Sequence, residues 1–283
     1  MKKVLIAGAK GMLGGELVKV FQSDGAKVLA WDVEELDITN REEVLEKIEE
    51  ASPDIVINAA AYNAVDKAEE SAEEFEKALK INAEGPKNLA IAAQKTGATL
   101  IHYVSDYVFS GNKEGYVEND KPDPISNYGK SKAAGGAEVE KIGGKYYLIR
   151  TSKIFGDSAN HEGAKKSFFE IMMNLAEERD EIKVIDSERS CFTYAPDLAE
   201  ATKDLLKKKY DYGTYHIVNE GAVTWYEGVL ELFKIAGIEN IKVNPVSSEE
   251  FPRLAKRPAS SVLINTKFSK LRHYPEAIRD WLK

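Results

Sequence analysis

The 283-residue chain is 43% hydrophobic and 30% charged, with a formal net charge of −8 at pH 7. This is the composition of a soluble globular protein with enough chain for a sizeable core, and its acidic balance argues against a nucleic-acid surface. No apolar run approaches membrane-spanning length, no signal peptide is evident, and the single Cys191 leaves neither an internal disulfide nor a metal cluster, which suits the cytoplasm.

KKVLIAG reads as a short apolar strand running into GAKGMLGGEL, whose helical spacing continues to about Phe21. Gly8, Gly11 and Gly14 form G-x-x-G-x-x-G between that strand and helix. Glycine at these points permits a tight turn, close backbone approach to a pyrophosphate and close helix–sheet packing. The helix N-terminus would then face phosphate with free N–H groups and a partial positive charge. KVLAWD is a second strand ending at Asp32, whose carboxylate would accept bonds from a ribose 2′-hydroxyl and repel a 2′-phosphate, favouring NADH over NADPH. A turn residue after a strand explains Asp32 equally well. Asp37 and Ile38 follow, placed to flank an adenine, with Thr39 or Asn40 capping the next helix.

PDIVINAAAY is a third strand with small residues at its end, a long helix is expected from about Ala72 to Thr96, and ATLIHYVS is the fourth strand. Ser105 thus falls at a strand's end and Tyr128 on the following helix. YYLIRTSKIFG reads as a fifth strand, and the alternation of strands and helices implies a parallel, doubly wound α/β sheet. Further along, GAKKSFFEIMMNLAEE, TYAPDLAEATKDLLKK and TWYEGVLELFKIAG read as helices, with IKVID and GTYHIVN as strands. RPASSVLINTKFSKL and YPEAIRDWLK close the chain. No repeat or low-complexity segment interrupts it.

Tyr128 and Lys132 stand at i and i+4, so a helix here projects both from one face. A phenol titrates near pH 10, and a neighbouring ammonium or hydroxyl brings it into play as an acid or base. With 13 tyrosines a Tyr-x-x-x-Lys pair is expected by chance about once, and it occurs once, so the pair alone carries no weight.

Read in order, GAKGMLGGEL, LDIT, PDIVINAAAYNAVDKAE, INAEGPKNLA, SDYVFSG, YGKSKAAG, RTS, TYAPDLA, GTYH, TWYE and KRPASSVL carry a resemblance. The chain resembles the extended short-chain dehydrogenase/reductases, and among them the dTDP-4-dehydrorhamnose reductase family. The resemblance implies a Rossmann fold with a smaller C-terminal substrate-binding portion. It also implies NADH or NADPH as cofactor, a nucleotide-sugar substrate reduced at its 4-keto group, and a homodimer, with neither membrane nor nucleic-acid partner. It names Ser105, Tyr128 and Lys132 as the catalytic trio, serine standing where the family usually has threonine. Cofactor contacts would come from Gly8, Lys10, Gly11, Met12, Gly14, Asp32, Asp37, Ile38, Ala60, Ala61, Tyr62, Tyr128 and Lys132. Substrate contacts would come from Ser105, Asp106, Lys153 and Arg257. Tyr128 would protonate the C4 oxygen, and Lys132 would hold the nicotinamide ribose and lower the phenol's pKa. No metal-ligand spacing is present.

The chain departs from the family pattern at Lys153 (usually tryptophan), at DSERSCFT from Asp186 to Thr193, at Gly136 (usually glutamate) and in the longer SANHEGAKKSFF. All but Gly136 fall in the sugar-nucleotide half. The expected division is 1–152 with returning segments near 192–218 for the dinucleotide, and 153–191 with 219–283 for the substrate, in one compact unit. A reductase or epimerase of another nucleotide sugar, or a non-catalytic cofactor-binding regulatory subunit, remains open at this stage.

Overall fold

A computed structural model describes residues 1–158 and 165–283. Strands β1 (Lys3–Ala7), β2 (Lys27–Trp31), β3 (Ile55–Asn58), β4 (Thr99–Ser105) and β5 (Tyr146–Thr151) lie in one sheet with a later strand, Gly213–His216. All neighbours run parallel, and β1 sits between β2 and β3. The chain therefore builds outward from β1 to β2, then crosses back and builds the other way through β3, β4 and β5. Ligands of open α/β sheets bind at the carboxyl edge where this direction reverses.

Alternation along β1 explains the two layers. Val4 and Ile6 are fully buried beneath α1 (Met12–Ser23), joining Leu13 and Leu17. Leu5 and Ala7 point the other way, into a core with Val44 and Ile48 of α2 (Arg41–Ala51), and with side chains of two further helices. The expected helix from Ala72 to Thr96 is α3 (Ala72–Leu79) and α4 (Gly85–Thr96), joined by a single π-type turn at Lys80–Glu84. α5 (Asn127–Ile142) begins at Ser126, whose side chain accepts the N–H of Gly129. Asn40 caps α2 in the same way, through Glu43.

The expected fifth strand ends sooner than its apolar run. Lys153 has φ +39, a left-handed conformation that stops the β5 ladder after Thr151. The chain resumes as β6 (Ile154–Phe155), paired with β9 (Thr193–Tyr194) outside the main sheet. From here α6 (Phe168–Glu178), β7 (Glu181–Ile185), β8 (Arg189–Cys191), α7 (Ala195–Lys207), β10 (Gly213–His216), β11 (Ala222–Thr224), α8 (Trp225–Ala236), β12 (Lys242–Val246) and α9 (Tyr274–Trp281) follow. α7 returns to the first layer, where Leu198 and Leu205 join the core of α1. The other helices enclose a separate aromatic core of Phe155, Phe169, Phe192, Phe233 and Ile278. Residues expected at the start of the α6 helix, Gly163 and Ala164, lie outside the described residues, as do Ala159 to Ala164 of the divergent SANHEGAKKSFF segment. RPASSVLINTKFSKL forms no regular element, only isolated bridges such as Arg189 with Ser260 and Tyr116 with Leu263. Among the described residues no helix is long and apolar enough to cross a membrane, and no three His, Cys, Asp or Glu side chains gather as a metal site.

Candidate active site

The carboxyl ends of β1, β3, β4 and β5 share one edge, because register places Ala7 beside Asn58, Asn58 beside His102, and Ser105 beside Thr151. A cleft of about 550 Å³ opens along this edge. Its lining includes Gly11, Met12, Gly14, Ala61, Asn63, Ser105, Asp106, Tyr128, Lys132, Ser152 and Lys153, with Phe168, Phe192 and Trp225 as an aromatic wall. Of the expected residues, Gly8, Lys10, Asp32, Asp37, Ile38, Ala60, Tyr62 and Arg257 do not line it.

The glycine loop is a cradle that side chains would fill. Gly8 has φ +79, and a Cβ there would lie 2.5 Å from the Ala60 nitrogen. A Cβ on Gly14 would lie 2.0 Å from the Gly8 carbonyl oxygen. Gly11 is open by contrast, with only that oxygen near, at 3.4 Å. The helix that follows is equally open. Among the described α-helices, α1 alone starts with neither a side-chain cap nor a proline in its first turn, and it has no acidic residue there. Orphan N–H groups with an uncompensated dipole suit a bound pyrophosphate. Asp32 is held beside this loop, since its carboxylate accepts the backbone N–H of Lys10 at 3.0 Å and of Val33 at 2.9 Å. The Lys10 ammonium meets Glu34 at 2.9 Å on the surface. These residues fit a dinucleotide. Asp37 instead turns inward on Thr39, accepting its N–H and hydroxyl, and the Ile38 side chain belongs to the core. Tyr62 packs behind Tyr128, its hydroxyl donating to Glu74 at 2.8 Å.

Ser105, Tyr128 and Lys132 come together in the cleft. The Tyr128 ring is buried, and its hydroxyl donates to Asn63 Oδ1 at 3.4 Å. Burial pushes the phenol's pKa well up, opposed by a hydrogen bond with Ser105 and reinforced by the Asp106 charge. The lysine does not act on it as expected. Lys132 Nζ donates to the Tyr103 carbonyl at 2.8 Å, and burial lowers its own pKa to about 8. Tyr128 is therefore a protonated phenol at neutral pH, the form a proton donor needs.

Asp106 is a hub behind these groups. Its carboxylate accepts hydroxyls from Ser105 at 2.9 Å, Ser152 at 2.8 Å and Ser261 at 2.5 Å, tying together β4, β5 and the C-terminal segment. Burial raises its pKa, against the pull of those three donors and the Lys153 charge. Through these bonds Asp106 holds Ser105 and Ser152 beside each other. Arg257 is also committed, in a two-pronged pair with Asp66 at 2.5 and 2.6 Å. Lys153 reaches the cleft with its Nζ buried and without a hydrogen-bond partner among the described residues, 3.8 Å from the centre of the Trp225 ring. Sequence reasoning did not single out Asn63, Ser152 or the Phe168–Phe192–Trp225 wall. RTS and TWYE pointed to two of these places, but only the fold brings them to one cleft.

A protein-family model described as the RmlD substrate binding domain matches residues 1–283. The dTDP-4-dehydrorhamnose reductase of Aggregatibacter actinomycetemcomitans is 38% identical over 282 residues, 95% of this chain and 93% of that protein. The Escherichia coli (strain K12) enzyme of the same name is 35% identical, covering 98% and 94%. Among solved structures, a dTDP-4-dehydrorhamnose reductase from Clostridium acetobutylicum superposes with a TM-score of 0.92 at 40% identity, over 99% of this chain and 98% of that one. The Bacillus anthracis dTDP-4-dehydrorhamnose reductase, solved in complex with NADP, gives a TM-score of 0.92 at 35% identity, with the same coverage.

Proposed function

The chain belongs to the RmlD substrate binding domain family, and from that premise we propose that it reduces the 4-keto group of dTDP-4-dehydrorhamnose, giving dTDP-L-rhamnose, with NADH or NADPH. The observation that carries this reading is the meeting of Ser105, Tyr128 and Lys132 in one cleft with the open N-terminus of α1. Gly8, Gly11, Met12 and Gly14 would hold the pyrophosphate, Asp32 a ribose, and Lys132 the nicotinamide ribose. When bound, the reduced nicotinamide supplies a hydride. The chain supplies position and the proton.

Tyr128 donates its phenolic proton to the C4 oxygen as negative charge develops there. Ser105 turns its hydroxyl from Asp106 toward the same oxygen and shares that charge. The Asp106 carboxylate keeps its bonds from Ser152 and Ser261 while this happens, so the ends of β4 and β5 stay together. Lys132, donating to Tyr103 from beneath, fixes the floor of the site. Residues 1–152 with 192–218 form the dinucleotide-binding portion in this reading, and 153–191 with 219–283 the sugar-binding portion. The separate core that joins Phe155 and Phe169 to Phe233 and Ile278 supports that division, with Phe192 entering it from the other portion. Family membership also supports a cytoplasmic homodimer. The test is nicotinamide oxidation with dTDP-4-dehydrorhamnose supplied. Substrate-dependent consumption of NADH or NADPH supports the reading, and cofactor binding without consumption overturns it in favour of a non-catalytic role.

A further inference from the structure

Of the buried polar side-chain atoms without a hydrogen-bond partner among the described residues, only Lys153 Nζ belongs to a residue lining the cleft. Its neighbours are charged or aromatic but give it no acceptor. Asp106 accepts instead from three serine hydroxyls. Glu188 accepts from Arg253 and from the Trp225 indole at 3.1 Å. Arg189 is directed to Glu227 and the Ala222 carbonyl, and Cys191 to the Leu263 carbonyl. The ammonium rests on the Trp225 and Phe192 rings, 3.8 and 4.8 Å from their centres. Ring faces attract a cation, yet they do not replace directed acceptors.

The backbone holds this lysine in place. Lys153 keeps φ +39, a conformation that is strained outside glycine and persists where its surroundings fix it. Its carbonyl accepts the Thr193 N–H at 3.2 Å, and the preceding Ser152 shares the Asp106 carboxylate with Ser105. Lys153 is thus geared to the same hub as the reactive hydroxyls.

We propose that Lys153 is a specificity-determining residue whose Nζ donates a hydrogen bond to the sugar's C3 hydroxyl, next to the reacting carbonyl. The inference rests on the reductase reading above. The acceptor is a neutral oxygen because the carboxylates of Asp106 and Glu188 already face the ammonium and would repel an added anion. C3 follows from the substrate's chemistry. In a 4-keto-6-deoxyhexose the other neighbour of the carbonyl, C5, bears only the ring oxygen and the methyl group. That methyl suits the Phe168–Phe192–Trp225 wall.

The experiment compares the wild-type chain with Lys153→Met, using dTDP-4-dehydrorhamnose and its 3-deoxy analogue. The expected result is a roughly tenfold to hundredfold loss of kcat/KM on the parent sugar, the effect of one charge-assisted bond. The 3-deoxy analogue should be reduced equally by both proteins, and NAD(P)H affinity should not change. Lys153→Gln, which keeps an N–H donor, should recover part of the loss, and it carries the comparison if the methionine variant fails to fold. An undiminished kcat/KM, or an equal loss on both sugars, overturns the role of Lys153. Failure of the wild-type protein to reduce the parent sugar sinks the reductase reading instead, and this inference with it.

Discussion

Replacing Tyr128 by phenylalanine removes one oxygen from the site and little else. The ring is 8% exposed and makes an edge-to-face contact with Tyr107 at 6.1 Å, which phenylalanine preserves. The lost bonds are a long one to Asn63, at 3.4 Å, and one with Ser105, so stability should change by about 1–2 kcal/mol at most. The effect on turnover is of another order. Without the phenol the C4 oxygen has no positioned proton donor, and kcat should fall by roughly a hundredfold to ten-thousandfold. Cofactor affinity should hold, because the phenolic oxygen is not part of the glycine cradle. Burial also raises the phenol's pKa, so the wild-type acid stays protonated through the neutral and mildly alkaline range. Its titration should therefore impose no fall in kcat there. Stopped-flow nicotinamide oxidation at saturating substrate, with cofactor titrated separately by fluorescence, measures both quantities. An unaltered kcat in Tyr128→Phe would refute the assignment of the proton donor.

Three further outcomes are expected. Gly14→Ala sets a Cβ 2.0 Å from the Gly8 oxygen, so the loop must shift. NAD(P)H affinity should collapse, and stability should drop by roughly 1–3 kcal/mol, read by cofactor titration and thermal melting. Asp32→Asn keeps an acceptor beside the loop but removes its charge. It should move the NADPH-to-NADH preference upward by about tenfold in kcat/KM, and an unchanged ratio would remove Asp32 from cofactor choice. Burial lowers the pKa of Lys132 to about 8 and of Lys153 to about 7, whereas unfolded lysines hold their protons to 10.5. Between those values the unfolded chain binds more protons, so these groups make stability rise with pH. Lys153→Met should reduce that slope by up to about 1.4 kcal/mol per pH unit, measured by urea unfolding across the window. An unchanged slope would contradict the burial of the ammonium.

Much of the fold was legible because its signals are local. Apolar runs such as KVLIA and IVIN read as buried strands, and the glycine triplet marks the first crossover by sequence alone. What escaped depends on distant partners. The RTSKIFG run looks like continuous strand, yet Lys153 turns left-handed because β6 must leave the sheet to pair with β9. Arg257 is expected among the substrate contacts, yet the fold pairs it with Asp66, 191 positions away. Asp106 adjoins Ser105 in sequence, but only Ser152 and Ser261, brought in by tertiary structure, show it to be a hub. Lys132 sits on the face predicted by its spacing from Tyr128, while its actual bond is to the backbone of β4.

The measurement that tests the central claim most directly is product stoichiometry with dTDP-4-dehydrorhamnose. Nuclear magnetic resonance of the sugar would be followed together with nicotinamide absorbance. The cleft described here predicts one NADH or NADPH oxidised for each sugar converted, with the C4 carbonyl replaced by a hydroxyl-bearing carbon. Sugar isomerised with no net oxidation of nicotinamide, or sugar left unchanged beside bound cofactor, would contradict it.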